Sequence, residues 1–160
     1  MSERPVVTRD LGRRLVRQRL GNWRPDVYWA REVSFYDPMM RVDFMQASVR
    51  GRVVGADIAD RLTFRVFEVK SSLADFHSGH GLNFIGDLNY VVCPVELAPS
   101  ICLELPEQVG VLVPGPWNGL DSYRSAKRVA RLRSASEMLL MMQRSSQRDA
   151  MKWMKGATDE

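Results

Sequence analysis

The stretch Leu62-Thr-Phe-Arg-Val-Phe-Glu-Val-Lys70 decides how the chain is read. Its β-branched and aromatic residues predict a strand. Side chains two apart on a strand point the same way, so Phe64, Val66, Glu68 and Lys70 share one face, with Glu68 and Lys70 about 7 Å apart. An apolar face thus turns polar at its C-terminal end. Charges in such a place are costly unless they are paired or hold an ion, and clefts at strand ends are common sites in α/β sheets. Immediately downstream, Ser72 and Asp75 have the spacing of a capping box, with Asp in place of the commoner Glu. A helix is therefore expected directly after Lys70, ending near Gly79 or Gly81.

Working outward, Val27–Tyr36 reads as a strand closed by an Asp37-Pro38 turn, and 41–47 as a second strand followed by a loop marked by Gly51, Gly55 and 57–60. On that second strand Asp43 stands between Val42 and Phe44, another acid in an apolar pattern. If the second and third strands pair as a hairpin, both carboxylates can reach one ion. Leu88–Cys93, stopped by Pro94, reads as a buried strand. A short helix is expected between Pro94 and Pro106, and a strand over 109–113 before a Pro-Gly-Pro turn. At the N-terminus, Leu11, Leu15, Val16 and Leu20 recur near helical spacing between arginines, which predicts a basic amphipathic helix over about 8–21, with Thr8 as N-cap and Gly21-Asn22 as its stop. From about Ser134 to Lys155 a second helical part carries a stripe of Met138, Leu139, Met141 and Met142, of the kind used for a core or a partner surface. The expected order is helix, three strands, helix, strand, short helix, strand, helix. It implies an α/β fold with a mixed central sheet and helices on both faces, in one domain over 1–160.

The 160 residues carry a net charge of +4, unevenly spread. Residues 1–24 hold seven arginines and net +5, the basic C-terminal part at 121–155 nets +6, and the middle nets −5. An acidic centre between basic flanks suits a protein that holds metal on carboxylates and phosphates on arginines and lysines, although basic helix faces are also simply solvated. No apolar run is long enough to cross a bilayer, and the first ten residues lack the apolar stretch of a secretion signal, so the expected compartment is the cytoplasm. Cys93 and Cys102, in apolar surroundings, are expected to be buried thiols.

Glu-x-Lys alone is commonly a surface ion pair. Its place at the end of an apolar strand, an aspartate 25 residues upstream and a capped helix directly after it give it weight. Two carboxylates, a backbone carbonyl and waters form an all-oxygen site suited to Mg²⁺ or Mn²⁺. Such an ion polarises a phosphate and lowers the pKa of a bound water, while Lys70 orients or deprotonates that water or stabilises the developing charge.

Val42-Asp43 followed by Glu68-Val69-Lys70-Ser-Ser-Leu-Ala-Asp75-Phe76 resembles the PD-(D/E)XK (restriction-endonuclease-like) nuclease superfamily, and especially its small bacterial and phage MmcB-like DNA-repair members. The resemblance continues through Gly81–Phe84, Asn89–Pro94 and Gly110–Val113, roughly the middle half of the chain. It implies an αβββαβ core plus a C-terminal helix, with Asp43, Glu68 and the Val69 carbonyl as metal ligands and Lys70 as the catalytic lysine. Two departures stand out: Val42 replaces the signature proline, and the first helix lacks the glutamate some members use, for which Glu32 on the first strand is a substitute. Asp75 is a second candidate for site support. The implied activity is Mg²⁺- or Mn²⁺-dependent hydrolysis of DNA phosphodiester bonds in repair, recombination or phage DNA processing.

Arg13, Arg14, Arg17, Lys127, Arg128 and Arg131 are the nucleic-acid-binding candidates on the two basic flanks. The alternative functions are a nucleic-acid-binding module of the same fold without turnover, and a scaffold whose Met-rich helix docks a helicase, another repair protein or a second copy of the chain. His77 and His80 read as a ligand or proton shuttle, or as polar cap groups. Asp57, Asp60 and Asp87 read as turn residues, Asn83 and Asn89 as groups within reach of nucleic acid. Trp23, Trp29, Trp117 and Trp153 read as core or interface anchors, or, near a basic flank, as stacking platforms for a base.

Overall fold

The computed structural model describes residues 4–21, 26–51, 55 and 58–158. The expected strand Val27–Tyr36 (β1) turns at Asp37-Pro38 into Met39–Val49 (β2), longer by two residues at each end than its apolar pattern suggested. Leu62–Val69 is β3, Leu73–His77 α2 and Leu88–Val92 β4. A single 3-10 turn at Val95–Leu97 leads into α3 (Ala98–Glu104), then β5 (Gly110–Pro114), β6 (Leu120–Arg124) and the long α4 (Ala135–Thr158). The six strands lie in the order β1-β2-β3-β4-β5-β6. Pairings are antiparallel from β1 to β3 and between β5 and β6, and parallel from β3 through β4 to β5. The mixed sheet, the flanking helices and the αβββαβ order with a terminal helix agree with the sequence reading.

Adjacent residues of the central strands serve opposite layers. Val66 and Val91 belong to the layers beneath α4 and beneath α2 and α3, whereas Phe67 and Val92 pack under the N-terminal helix through Leu11, Leu15 and Leu20. Each fully buried Val, Leu or Phe contributes about 1.5–3 kcal/mol relative to exposure, so the two-sided burial of β3 and β4 anchors the centre of the molecule. Met138, Met141 and Met142 are buried on the sheet, which assigns the Met stripe to the core. Leu140, Met151, Trp153 and Met154 of α4 are exposed.

Four expectations need correction. The N-terminal helix (α1) begins at Arg4 and runs to Leu15 before a π-helical turn at Val16–Leu20, so Thr8 is an exposed residue inside the helix and not its cap. Pro5 is tolerated there because the first-turn N–H groups have no intrahelical partner. β6 was not anticipated: it is an edge strand with only Leu120 fully buried. Trp117 and Trp153 are exposed, so neither is a core anchor. Of the two cysteines Cys93 is buried and Cys102 only half-buried, and both are free thiols. Asn22, Trp23, Asp57 and the side chain of Asp60 lie outside the described residues. No described helix is long and apolar enough to cross a membrane.

Candidate active site

Ser72 caps α2, its hydroxyl accepting the Asp75 N–H at 3.1 Å. The Asp75 carboxylate reaches one residue further back than a standard capping box and accepts the Ser71 N–H at 3.1 Å and the Ser71 hydroxyl at 3.3 Å. The turn directly after Lys70 is thereby held by Asp75. The chain then passes through Gly79 and Gly81, at φ +73° and +76°, and folds back over the end of β3.

Asp43, Glu68, Val69 and Lys70 line one cleft of about 1090 Å³, bounded by the β1–β2 tip, the start of α1 and the Gly79–Asn83 loop. The antiparallel register pairs Phe44 with Phe67, so one further step sets Asp43 across from Glu68. Asp43 accepts the Val69 N–H at 2.8 Å. Glu68, 1% exposed, accepts the Asn83 N–H at 3.3 Å. Lys70, 4% exposed, donates its ammonium to the His80 carbonyl. The two carboxylates and the amine that the sequence reading singled out therefore meet in one cleft, on neighbouring strands.

The electrostatics of this cleft are unfavourable to the protein alone. Burial, and then the nearby Asp43 carboxylate, push the Glu68 carboxyl up to about 8. Asp43 is also raised, by burial, against the lowering effects of the Val69 N–H, Lys70 and Arg41. A cation between such carboxylates would relieve this repulsion, and the donors are hard oxygens. Among the described residues no group of three or more His, Cys, Asp or Glu is gathered for a metal, so the pair would need the Val69 carbonyl or solvent to complete a coordination shell. The oxygen donors fit Mg²⁺ or Mn²⁺ better than zinc.

The remaining candidates divide sharply. Glu32 sits at a left-handed kink of β1 (φ 49°), exposed, 3.9 Å from Arg148, and faces a neighbouring groove that it shares with Asp43. Arg148 donates to the Arg31 and Glu32 carbonyls, each at 3.1 Å, so α4 clamps the kink. Glu32 does not line the cleft of Glu68 and Lys70. His80 lines the cleft, whereas His77 does not and lies 3.0 Å from Glu104. Asn83 donates its side-chain amide to the Arg41 carbonyl, and buried Asn89 bonds both ways with the Gly86 backbone, so both serve the fold.

On the basic flanks, Arg13 on α1 and Arg17 in the π-helical turn after it are exposed. Arg14 turns inward to Asp10 at 2.7 Å and to the Gly115 and Gly119 carbonyls. Arg128 and Arg131 converge on nearly buried Asp87, at 3.6 and 3.7 Å, and Asp87 in turn accepts the Phe64 N–H at 2.8 Å. Lys127 pairs with Glu107. Arg128 and Arg131 therefore gather near the start of β3, five residues of strand or about 17 Å from Glu68, Lys127 lies beside the segment before β5, and none of the three lines the cleft. Sequence reasoning missed Gly81 and Arg41, which owe their place at the site to contacts distant in sequence.

No family model matches the chain, and no curated protein matches it. A solved structure of a protein of unknown function from Silicibacter pomeroyi superimposes with a TM-score of 0.59 at 18% identity, covering 96% of this chain and 90% of that one. That likeness is one of fold.

Proposed function

We propose that the protein is a metal-dependent nuclease of the PD-(D/E)XK type that hydrolyses DNA phosphodiester bonds. The observation that carries this reading is the convergence of Asp43, Glu68 and Lys70 in one cleft, with both carboxylates raised by burial. Asp43, Glu68 and the Val69 carbonyl are the residues to hold Mg²⁺ or Mn²⁺. The bound cation would supply neutralising charge at the scissile phosphate and make an attacking water more acidic. Lys70 is held by the His80 carbonyl at the same end of β3, where its ammonium orients the attacking water and offsets charge developing on the phosphate. Asp75 fixes the turn after Lys70, and Asn83 fixes the Glu68 carboxylate.

Incubating plasmid, branched and single-stranded DNA with Mg²⁺ or Mn²⁺ tests the reading. Wild-type protein is expected to cut at least one of them about a hundredfold faster than Asp43→Ala or Lys70→Ala. Equal rates on every substrate would refute it. In that case retained, salt-sensitive DNA binding would mark a binding module without turnover.

A further inference from the structure

A second groove of about 590 Å³ adjoins the cleft, between α1 and strands β1 and β2. The two share Thr8, Arg9, Asp43 and Val69, so they are continuous across the carboxylate that faces both. Trp29 and Phe44 line the groove, their ring centroids 6.4 Å apart and their planes at 35°. Above them stand Arg9 and Arg13, four residues apart on one face of α1, and Arg17 from the π-helical turn that follows, all three lining the groove. All three are exposed, and none has a carboxylate partner among the described residues.

Arg9 and Arg13 are separated by about 6 Å along the axis of α1, and Arg17 continues the row from the π-helical turn. A row of guanidinium groups with no carboxylate partner among the described residues suits a ligand with repeated negative charge, while an aromatic floor suits flat rings with an open face. An acidic peptide satisfies only the first condition. Duplex DNA also fails the second, because its base faces are covered by stacking. An unpaired strand meets both.

We propose that an unpaired DNA strand lies in this groove, its phosphates on Arg9, Arg13 and Arg17 and a base against Trp29, and continues from there into the cleft of Asp43 and Glu68. The proposal rests on the nuclease reading for what happens in the cleft, and adds that the substrate is single-stranded DNA or a junction with a single-stranded arm.

Binding is measured by fluorescence anisotropy on the full chain in EDTA, with a labelled single strand and a duplex of the same length. The single strand is expected to bind at least about tenfold more tightly. Replacing Arg13 and Arg17 together by Gln should weaken it several-fold and reduce the slope of log K against log salt by about 1.4, since each single-strand phosphate contact contributes about 0.7. Trp29→Leu should cost about tenfold, with Trp29→Phe retaining most of the affinity as a check on folding. Duplex binding as tight as single-strand binding, or an unchanged salt slope in the double arginine variant, would overturn the proposal. Cleavage assays in Mn²⁺ separate it from the nuclease reading. If Asp43→Ala abolishes cutting while the double arginine variant cuts and binds like wild type, the groove assignment falls alone. If single-strand binding follows the groove residues but no substrate is cut, the groove assignment stands and the nuclease reading falls.

Discussion

A Cβ atom placed on Gly81 would stand 2.8 Å from Glu68 Oε2 and 3.3 Å from Lys70 Nζ. The glycine backbone therefore forms part of the wall against which the carboxylate and the amine are set.

Gly79 offers a matched comparison, with φ +73° but open space where its side chain would grow. Gly79→Ala is expected to cost about 1–2 kcal/mol of stability, the penalty for a left-handed non-glycine residue, and to leave metal binding intact. Gly81→Ala carries the same backbone cost and also displaces Glu68, so metal-dependent cleavage should fall at least about tenfold below that of Gly79→Ala. Urea unfolding and cleavage rates of the two variants check this. Equal cleavage by both would show that the Gly81 contact has no part in the site.

The raised Glu68 carboxyl makes a prediction about pH. Its folded value of about 8 lies above its ordinary value of 4.5, so between these the native state holds a proton that the unfolded chain has released. Without divalent metal, the stability from this group is fully present below pH 4.5 and is lost as pH rises through 8, a change on the order of a few kcal/mol. Asp43, also raised, acts in the same direction. Thermal melts in EDTA should show Tm falling from pH 5 to pH 8.5 relative to Glu68→Gln. Mn²⁺ should raise the wild-type Tm most at the alkaline end, where protons no longer compete for the carboxylates. A wild-type pH profile parallel to that of Glu68→Gln would contradict the assignment.

Much of this was legible because the deciding signals are local. β3 announces itself by its apolar alternation and then by Glu68, and the Ser72–Asp75 cap needs only four residues. β1 came out over its full length because its aromatic and β-branched run is bounded by Asp37-Pro38. What stayed hidden depends on contacts far apart in sequence. The edge strand β6 has one fully buried residue and so carries no alternation, and Gly81 looks like any loop glycine until the chain folds it onto Glu68. The arginines illustrate the same limit: neighbours in one basic segment, Arg13 and Arg14 meet opposite fates because helical phase sends one outward and the other toward Gly115 and Gly119.

Lys70 and Asp43 should separate chemistry from metal binding. Lys70→Met removes a positive charge beside two carboxylates while keeping the length and apolar stem of the buried side chain, so Mn²⁺ binding should be kept or tightened while turnover falls at least about a hundredfold. Asp43→Asn lowers the negative charge and should weaken Mn²⁺ binding together with turnover. Calorimetric titration with Mn²⁺ alongside cleavage rates distinguishes the two. Loss of Mn²⁺ binding in Lys70→Met to the same extent as in Asp43→Asn would remove the lysine from its assigned role.

Arg14 and Arg13 provide a test of which basic residues serve the fold. Arg14 is bonded to Asp10 and reaches the Gly115 carbonyl at 3.3 Å and that of Gly119 at 3.4 Å, tying α1 to the turn before β6. Charged hydrogen bonds contribute about 1.5–3 kcal/mol each when short, and these carbonyl contacts are long, so Arg14→Ala should lose about 1–2 kcal/mol. Its guanidinium is already engaged, so the salt dependence of DNA binding should not change. Arg13→Ala should do the reverse, leaving stability within about 0.5 kcal/mol of wild type while the salt slope falls by about 0.7. Denaturant midpoints and binding at three salt concentrations measure both quantities. If the two variants behave alike, the division between an inward Arg14 and an outward Arg13 does not govern what the basic helix does.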